Sequence, residues 1–149
     1  LVNKGITVGQ AARAAHAFSE EGILVHAYLM YGLPTQTAQE TVDALETVRR
    51  LFDAGYIQSA YWHRFALTVH SPMARDPERY GIRLLPVSLA TFARNEIPWE
   101  EKNGEDHGRF AFGLRKAVYN FMHGAGLERD VRNWFDFDMP RPSKGILWR

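Results

Sequence analysis

Apolar residues recur at three- and four-residue intervals in three stretches of the chain and alternate or run together in two others. The first helical stretch opens with Thr7-Val8-Gly9-Gln10, a Thr-x-x-Gln capping box. It carries Ala11, Ala12, Ala15 and Phe18 on helical spacing and stops at Gly22. The run ILVHAYLMY predicts a strand over 23–31. Thr37-Ala38-Gln39-Glu40 is a second capping box, and Val42, Leu45, Val48, Leu51 and Phe52 behind it form one apolar stripe that ends at Gly55. IQSAYWHRFALTV predicts a second strand over 57–69. The order is helix, strand, helix, strand, with each helix closed by glycine. That rhythm predicts an α/β fold with right-handed crossovers and parallel strands.

Beyond Ser71-Pro72 the pattern changes. SPMARDPERYGI is turn-rich, with Pro72 and Pro77 as breakers, and a short helix is expected over 87–94. NEIPWEEKNGEDHG reads as a loop. A longer helix follows over 107–123, with Phe110, Leu114, Val118 and Phe121 or Met122 on one face, and Gly124 and Gly126 end it. A short turn carries Leu127, Val131, Trp134 and Phe135. The tail DMPRPSKGILWR is expected to be irregular.

Strand alternation separates two faces. Ile23, Val25, Ala27, Leu29 and Tyr31 are suited to packing under helices. Leu24, His26, Tyr28, Met30 and Gly32 share the other face. In the second strand an arginine is costly in a buried position unless paired, so Arg64, Thr68 and His70 are assigned to the polar, ligand-side face. The carboxyl ends of parallel strands are the usual ligand side. Here that edge is Met30–Gln36 and Thr68–Met73. Gly32 permits close approach, Pro34 stiffens the exit, and the helix start near Thr37 is expected to offer free amides.

Charge changes the picture by exclusion. Lysine plus arginine number 18 against 17 acidic residues, so no excess charge draws nucleic acid or an anionic membrane. No apolar stretch is long enough for a membrane span, and a mixed amphipathic helix rather than a secretory signal follows Lys4. A cytoplasmic protein is therefore expected. The chain contains 0 cysteines, which removes thiolate chemistry and cysteine-held clusters from it. His16, His26, His63, His70, His107 and His123 form no His-x-x-x-His or His-Glu-x-x-His pattern, so no metal site is expected. Glu100-Glu101 and Glu105-Asp106 read as a solvated acidic loop, and Ser71 as a cap. The chain opens on Leu1, and its first helix starts almost at once, which reads as a piece of a longer protein.

HAYLMYGLPTQTAQETVDALETVRRLFDAG followed by YWHRFALTVHSPMARDPERYGI resembles the C-terminal half of a radical S-adenosylmethionine (SAM) enzyme core. The resemblance is to the branch of Fe-S oxidoreductases that often carry a cobalamin-binding domain upstream. It rests on a strand ending in Gly-Leu-Pro, a Gln-Thr helix start, and a next strand that ends near Ser-Pro. RNEIPW and LRKAVYNFMHG resemble that group's C-terminal extension. The resemblance implies a partial (β/α) barrel, made of the last two to three parallel strands with flanking helices and followed by a mainly helical C-terminal extension. Residues 1–82 would be barrel and 83–149 the extension packed on it.

The resemblance also implies cofactors and site residues. Tyr28, Met30, Gly32, Pro34 and Thr35 would lie by SAM, with Met30 and Gly32 at family positions, Tyr28 replacing a glycine and Thr35 replacing an acid. His26, Arg64, Thr68 and His70 would face the substrate. The parent enzyme would hold SAM and a 4Fe-4S cluster, with cobalamin open to it as a further cofactor. The cluster's three cysteines lie outside this chain, which alone would be catalytically silent. Its partner would be the N-terminal half of the barrel, or a second copy through open strand edges, and the substrate is unspecified. The alternative is a non-catalytic α/β protein-interaction domain. A nucleotide-binding module ranks last, because no Walker loop or Gly-x-Gly-x-x-Gly is present.

Overall fold

Two threonines set the helical frame. In the computed structural model, which describes residues 5–87, 95–101 and 104–145, Thr7 and Thr37 each cap a helix. Each hydroxyl accepts from the amide three residues on, and Gln10 or Glu40 reaches back to the cap amide. The elements are α1 (Val8–Glu20), β1 (His26–Tyr31), α2 (Ala38–Asp53), β2 (Ser59–Arg64), α3 (Pro72–Arg75), β3 (Ile82–Leu84), β4 (Trp99–Glu101) and α4 (Ala111–Met122). Short 3-10 turns cover Glu78–Tyr80, His107–Phe110 and Val131–Trp134. The helix expected over 87–94 lies outside the described residues, apart from Val87.

β1 and β2 pair in parallel, from His26 opposite Ser59 to Tyr31 opposite Arg64, with α2 as the crossover. Gln58 fixes where they meet. Its Oε1 accepts from the Val25 amide at 2.7 Å, and its Nε2 donates to Ser19 Oγ at 2.9 Å and to the Gly55 carbonyl at 2.8 Å. One glutamine thus joins the ends of both helices to the entry of both strands.

The stripe expected on α2 is buried: Val42, Leu45, Val48 and Phe52 meet Tyr31, Ala60 and Trp62 of the sheet and Leu114, Ala117, Val118 and Phe121 of α4. Val131, Trp134 and Met139 close this core. Each fully buried Leu, Val or Phe is worth about 1.5–3 kcal/mol relative to exposure, so α2 and α4 hold the sheet from one side. A second cluster of Leu67, Met73 and Ile82 lies beside the antiparallel β3–β4 pair.

The structure corrects three expectations. The second strand ends at Arg64, and the Ser71-Pro72 step starts α3 with Ser71 as its cap. The face expected to be the ligand side, that of Arg64, is the one whose Trp62 is covered. Trp62 is 5% exposed under α4, while Tyr61 and His63 lie on the other side with Tyr28 and Met30. The expected loop over 95–108 contains β4, and Glu96 bridges to Thr68. The tail is irregular but fastened: Ser143 N and Oγ donate to the two oxygens of Asp43 at 2.8 and 2.7 Å, and Gln39 donates to the Arg141 carbonyl at 2.9 Å. The described residues form a mixed α/β structure in which no barrel closes. No helix among them is long and apolar enough to cross a membrane.

Glu46 is the one carboxylate buried within α2. Arg49 donates to both its oxygens at 2.8 Å, Arg50 adds a bond at 2.7 Å, and Arg49 Nη1 reaches the Leu127 carbonyl at 2.6 Å. Burial alone would raise the Glu46 pKa; the two guanidinium partners outweigh it and hold the carboxyl below the usual glutamate range. A lowered folded pKa gives stability that is complete above the unfolded value of about 4.3 and is lost as pH falls through it toward the folded value. Glu46→Gln is expected to cost about 2–3 kcal/mol at pH 7 and to flatten the acid limb of stability. Urea denaturation at pH 7 and pH 3 checks this; an unchanged acid limb would remove Glu46 from the account.

Candidate functional site

The sheet has one covered face and one bare face. On the bare face Tyr28 and Tyr61 are 66% and 50% exposed. Tyr28 stacks on His63 with ring centroids 3.8 Å apart and planes within 14°, and Tyr61 tilts against the same imidazole at 4.7 Å. His26 Nδ1 pairs with Ser59 Oγ at 2.8 Å. Met30 stands opposite His63 in the register. The result is a small platform of rings and a thioether, built by strand alternation and facing away from α2 and α4.

The loop after β1 is wired by its own side chains. Gln36 Oε1 accepts from the amides of Gly32 at 2.7 Å and Leu33 at 3.2 Å. Glu40 accepts from the Thr37 amide at 2.8 Å and places its carboxylate in the positive first turn of α2. Part of the expected set of free amides is occupied within the loop: those of Gly32, Leu33, Thr37 and Glu40 each have an acceptor. Pro34 and Gly32 are buried. Thr35 is exposed with φ at 65°, a left-handed conformation that costs a β-branched residue about 1–3 kcal/mol and persists where its surroundings impose it.

At the carboxyl end of the sheet lies a pair that sequence spacing does not mark. His107 is 4% exposed, and its Nε2 meets Glu101 Oε1 at 3.3 Å, with the Glu101 side chain itself 10% exposed. His107 Nδ1 is buried with no partner among the described residues. Two glycines clear the space. A Cβ on Gly32 would stand 3.3 Å from His107 Cβ and 3.5 Å from Arg64 Cγ, and one on Gly104 would overlap the Glu101 side chain. The pair borders a cavity of about 810 Å³ lined also by Arg64, Leu67, Glu96 and Trp99.

The residues expected to form one site fall in three places. His26, Tyr28 and Met30 are together on the bare face. Gly32, Pro34 and Thr35 form the wired loop, two of them buried. Arg64 leaves the sheet toward His107 and Gly108, Thr68 pairs with Glu96, and His70 is exposed in the turn before α3, so these three do not join the platform. Tyr61 and His63 take their place there. Among the described residues no group of three or more His, Asp or Glu could hold a metal.

Gly32→Ala combines a left-handed φ of 77° with contact against His107, whereas Gly55→Ala has a φ of 71° and open space. The left-handed backbone costs each variant about 1–2 kcal/mol. Crowding is expected to make Gly32→Ala worse than Gly55→Ala by about 1 kcal/mol in urea denaturation, since it displaces a buried ring. Equal losses would show that His107 yields freely. No family model, curated protein or solved structure matches this chain, so its functional reading rests on this geometry.

Proposed function

We propose that this chain supplies one wall of a larger (β/α) barrel in a radical SAM-type enzyme, with the bare face of β1 and β2 turned toward the lumen. The observation that carries the reading is the division of the sheet: helices α2 and α4 cover one face, and a ring-and-thioether platform lies uncovered on the other. Each strand has one outer edge left without a strand partner among the described residues. Further strands, from the rest of a barrel or from a second copy, would pair there.

The chain's residues fit one of the two implied groups and not the other. Tyr28, His63 and Met30 offer flat and polarizable surface to a planar heterocycle such as the adenine of SAM. Tyr61 and His26 extend that wall toward the substrate. The chain contains 0 cysteines, so it supplies none of the three thiolates that such a cluster would need. The reductive chemistry would belong to the parent, along with any cobalamin, and the chain alone would be silent.

A protein-interaction domain is the second reading, favoured by Phe18, Ile23 and Leu24, all exposed around the entry to β1. The gene upstream of Leu1 separates the two. The barrel reading expects an in-frame Cys-x-x-x-Cys-x-x-Cys about 100–150 residues earlier, a distance set by usual βα unit lengths. An upstream sequence without those cysteines sinks it. In the joined protein, Tyr28→Ala is expected to weaken SAM binding about tenfold, the scale of one base–aromatic stack, as read by isothermal titration.

A further inference from the structure

The outer face of α4 is used neither by the core nor by the barrel reading. Gly113, Leu114, Ala117, Val118 and Phe121 turn inward. Phe112, Arg115, Lys116, Tyr119, Met122 and His123 are exposed on the opposite side. Phe112 and Tyr119 are 68% and 62% exposed. With Met122 they leave about 300–400 Å² of aromatic and apolar surface in water, the size of the largest patch on an ordinary monomer. A solvated helix face is normally polar. Aromatic rings, methionine and arginine together are instead the composition of a protein interface.

Charge on this face has one sign. No Asp or Glu stands between His107 and Leu127. Arg115 donates to the Ala111 carbonyl at 3.3 Å, and Lys116 Nζ lies 5.8 Å from the centre of the Phe112 ring. Among the described residues neither cation forms an ion pair. A second copy of the chain would set Arg115 and Lys116 against themselves across a two-fold axis, and like charges cost affinity. Two cations are also few for the other anionic partners. Each adds about fivefold at an anionic membrane surface. Single-stranded nucleic acid is held in a basic groove that tracks its backbone, and this face is a convex ridge.

Spacing gives the shape of the partner. Phe112, Lys116, Tyr119 and His123 follow one another at four, three and four residues, the seam on which one helix receives another. The His123 ring lies 4.6 Å from that of Tyr119, and its Nδ1 donates to the Tyr119 carbonyl at 2.7 Å, so the stripe runs unbroken to the end of the helix. We propose that the outer face of α4 docks an acidic amphipathic helix of a partner protein. Its apolar residues would lie against Phe112, Tyr119 and Met122, and its Asp or Glu side chains would meet Arg115 and Lys116. α4 stands on the covered side of the sheet, so the proposal is independent of the platform around Tyr28 and holds whether or not the chain belongs to a barrel.

Amide NMR during titration tests it. The probe is a synthetic helical peptide of about 16 residues, with Leu at three- and four-residue intervals and Glu on both flanks. Saturable shifts mapping to residues 112–123 are expected, and the same peptide with Lys for Glu is expected to bind about tenfold more weakly or worse. Phe112→Ala and Tyr119→Ala are each expected to weaken binding about tenfold, whereas Phe18→Ala, at an exposed aromatic of α1, is expected to leave it unchanged. Arg115→Glu combined with Lys116→Glu is expected to reverse the preference, so that the Lys peptide binds and the Glu peptide does not, a gain that unfolding cannot imitate. Vesicles of phosphatidylserine with phosphatidylcholine and a short oligothymidine are the competing arms. Shifts that do not saturate, equal binding of the two peptides, or shifts centred on Phe18 overturn the proposal. So does tighter binding of vesicles or oligothymidine than of the Glu peptide, or self-association in sedimentation equilibrium that Phe112→Ala abolishes.

Discussion

Everything in this structure follows from the burial of one side of a two-stranded sheet by α2. Two parallel strands cannot be joined by a tight turn, so the chain must cross over, and the crossover helix must bury its stripe on the sheet it has just left. Val42, Leu45, Val48 and Phe52 do this, and α4 lies against the same layer. Once both helices are on that side, strand alternation sends Tyr28, Met30, Tyr61 and His63 to the other. The bare platform is thus the geometric remainder of a well-packed core. The Glu46 cluster reinforces the arrangement by tying α2 to the Leu127 carbonyl beyond α4.

What could be read from the sequence was what local geometry decides. The capping boxes at Thr7 and Thr37 act over three residues, and both are present in full. The covered face of β1 was legible at Val25, Ala27, Leu29 and Tyr31, because only one alternating set is apolar throughout; Ile23, assigned to the same face, lies ahead of the strand, which starts at His26, and is exposed. β2 defeated the same reasoning. Tyr61, Trp62, His63 and Arg64 put an aromatic or a polar group on each face, so alternation left the inside undecided until α4 selected Trp62. Arg64 was placed by the cost of burying it, yet it avoids that cost by standing where the strand ends. β4 escaped notice because Trp99-Glu100-Glu101 has no apolar alternation and exists through pairing with distant Ile82–Leu84.

The Gly-Leu-Pro segment changes meaning in the folded chain. As sequence, it suggests a glycine for a ligand to approach and amides for it to bind. In the structure the ligand's place beside Gly32 is taken by His107, and the amides are taken by Gln36. Neither substitution is visible by spacing: His107 arrives from seventy-odd residues downstream, and Gly104 lies directly against the Glu101 side chain. The same loop shape can serve a ligand or a neighbouring side chain, and long-range packing decides which.

The fastening of Ser143 to Asp43 has a kinetic consequence. The two residues are separated by 100 positions, as are the backbone and hydroxyl bonds that join them. A chain emerging from the ribosome can form α2 and pair β1 with β2 long before residue 143 exists, since those contacts are comparatively local. The polar side of α2 is completed only by a loop closure whose entropy cost grows with chain length. The nascent chain therefore passes through a stage in which the βαβ unit is assembled but Met139 has not yet closed the core above α2. During that stage the molecule exposes apolar surface on both sides of the sheet, and the arrival of the segment around Met139 ends it on the covered side.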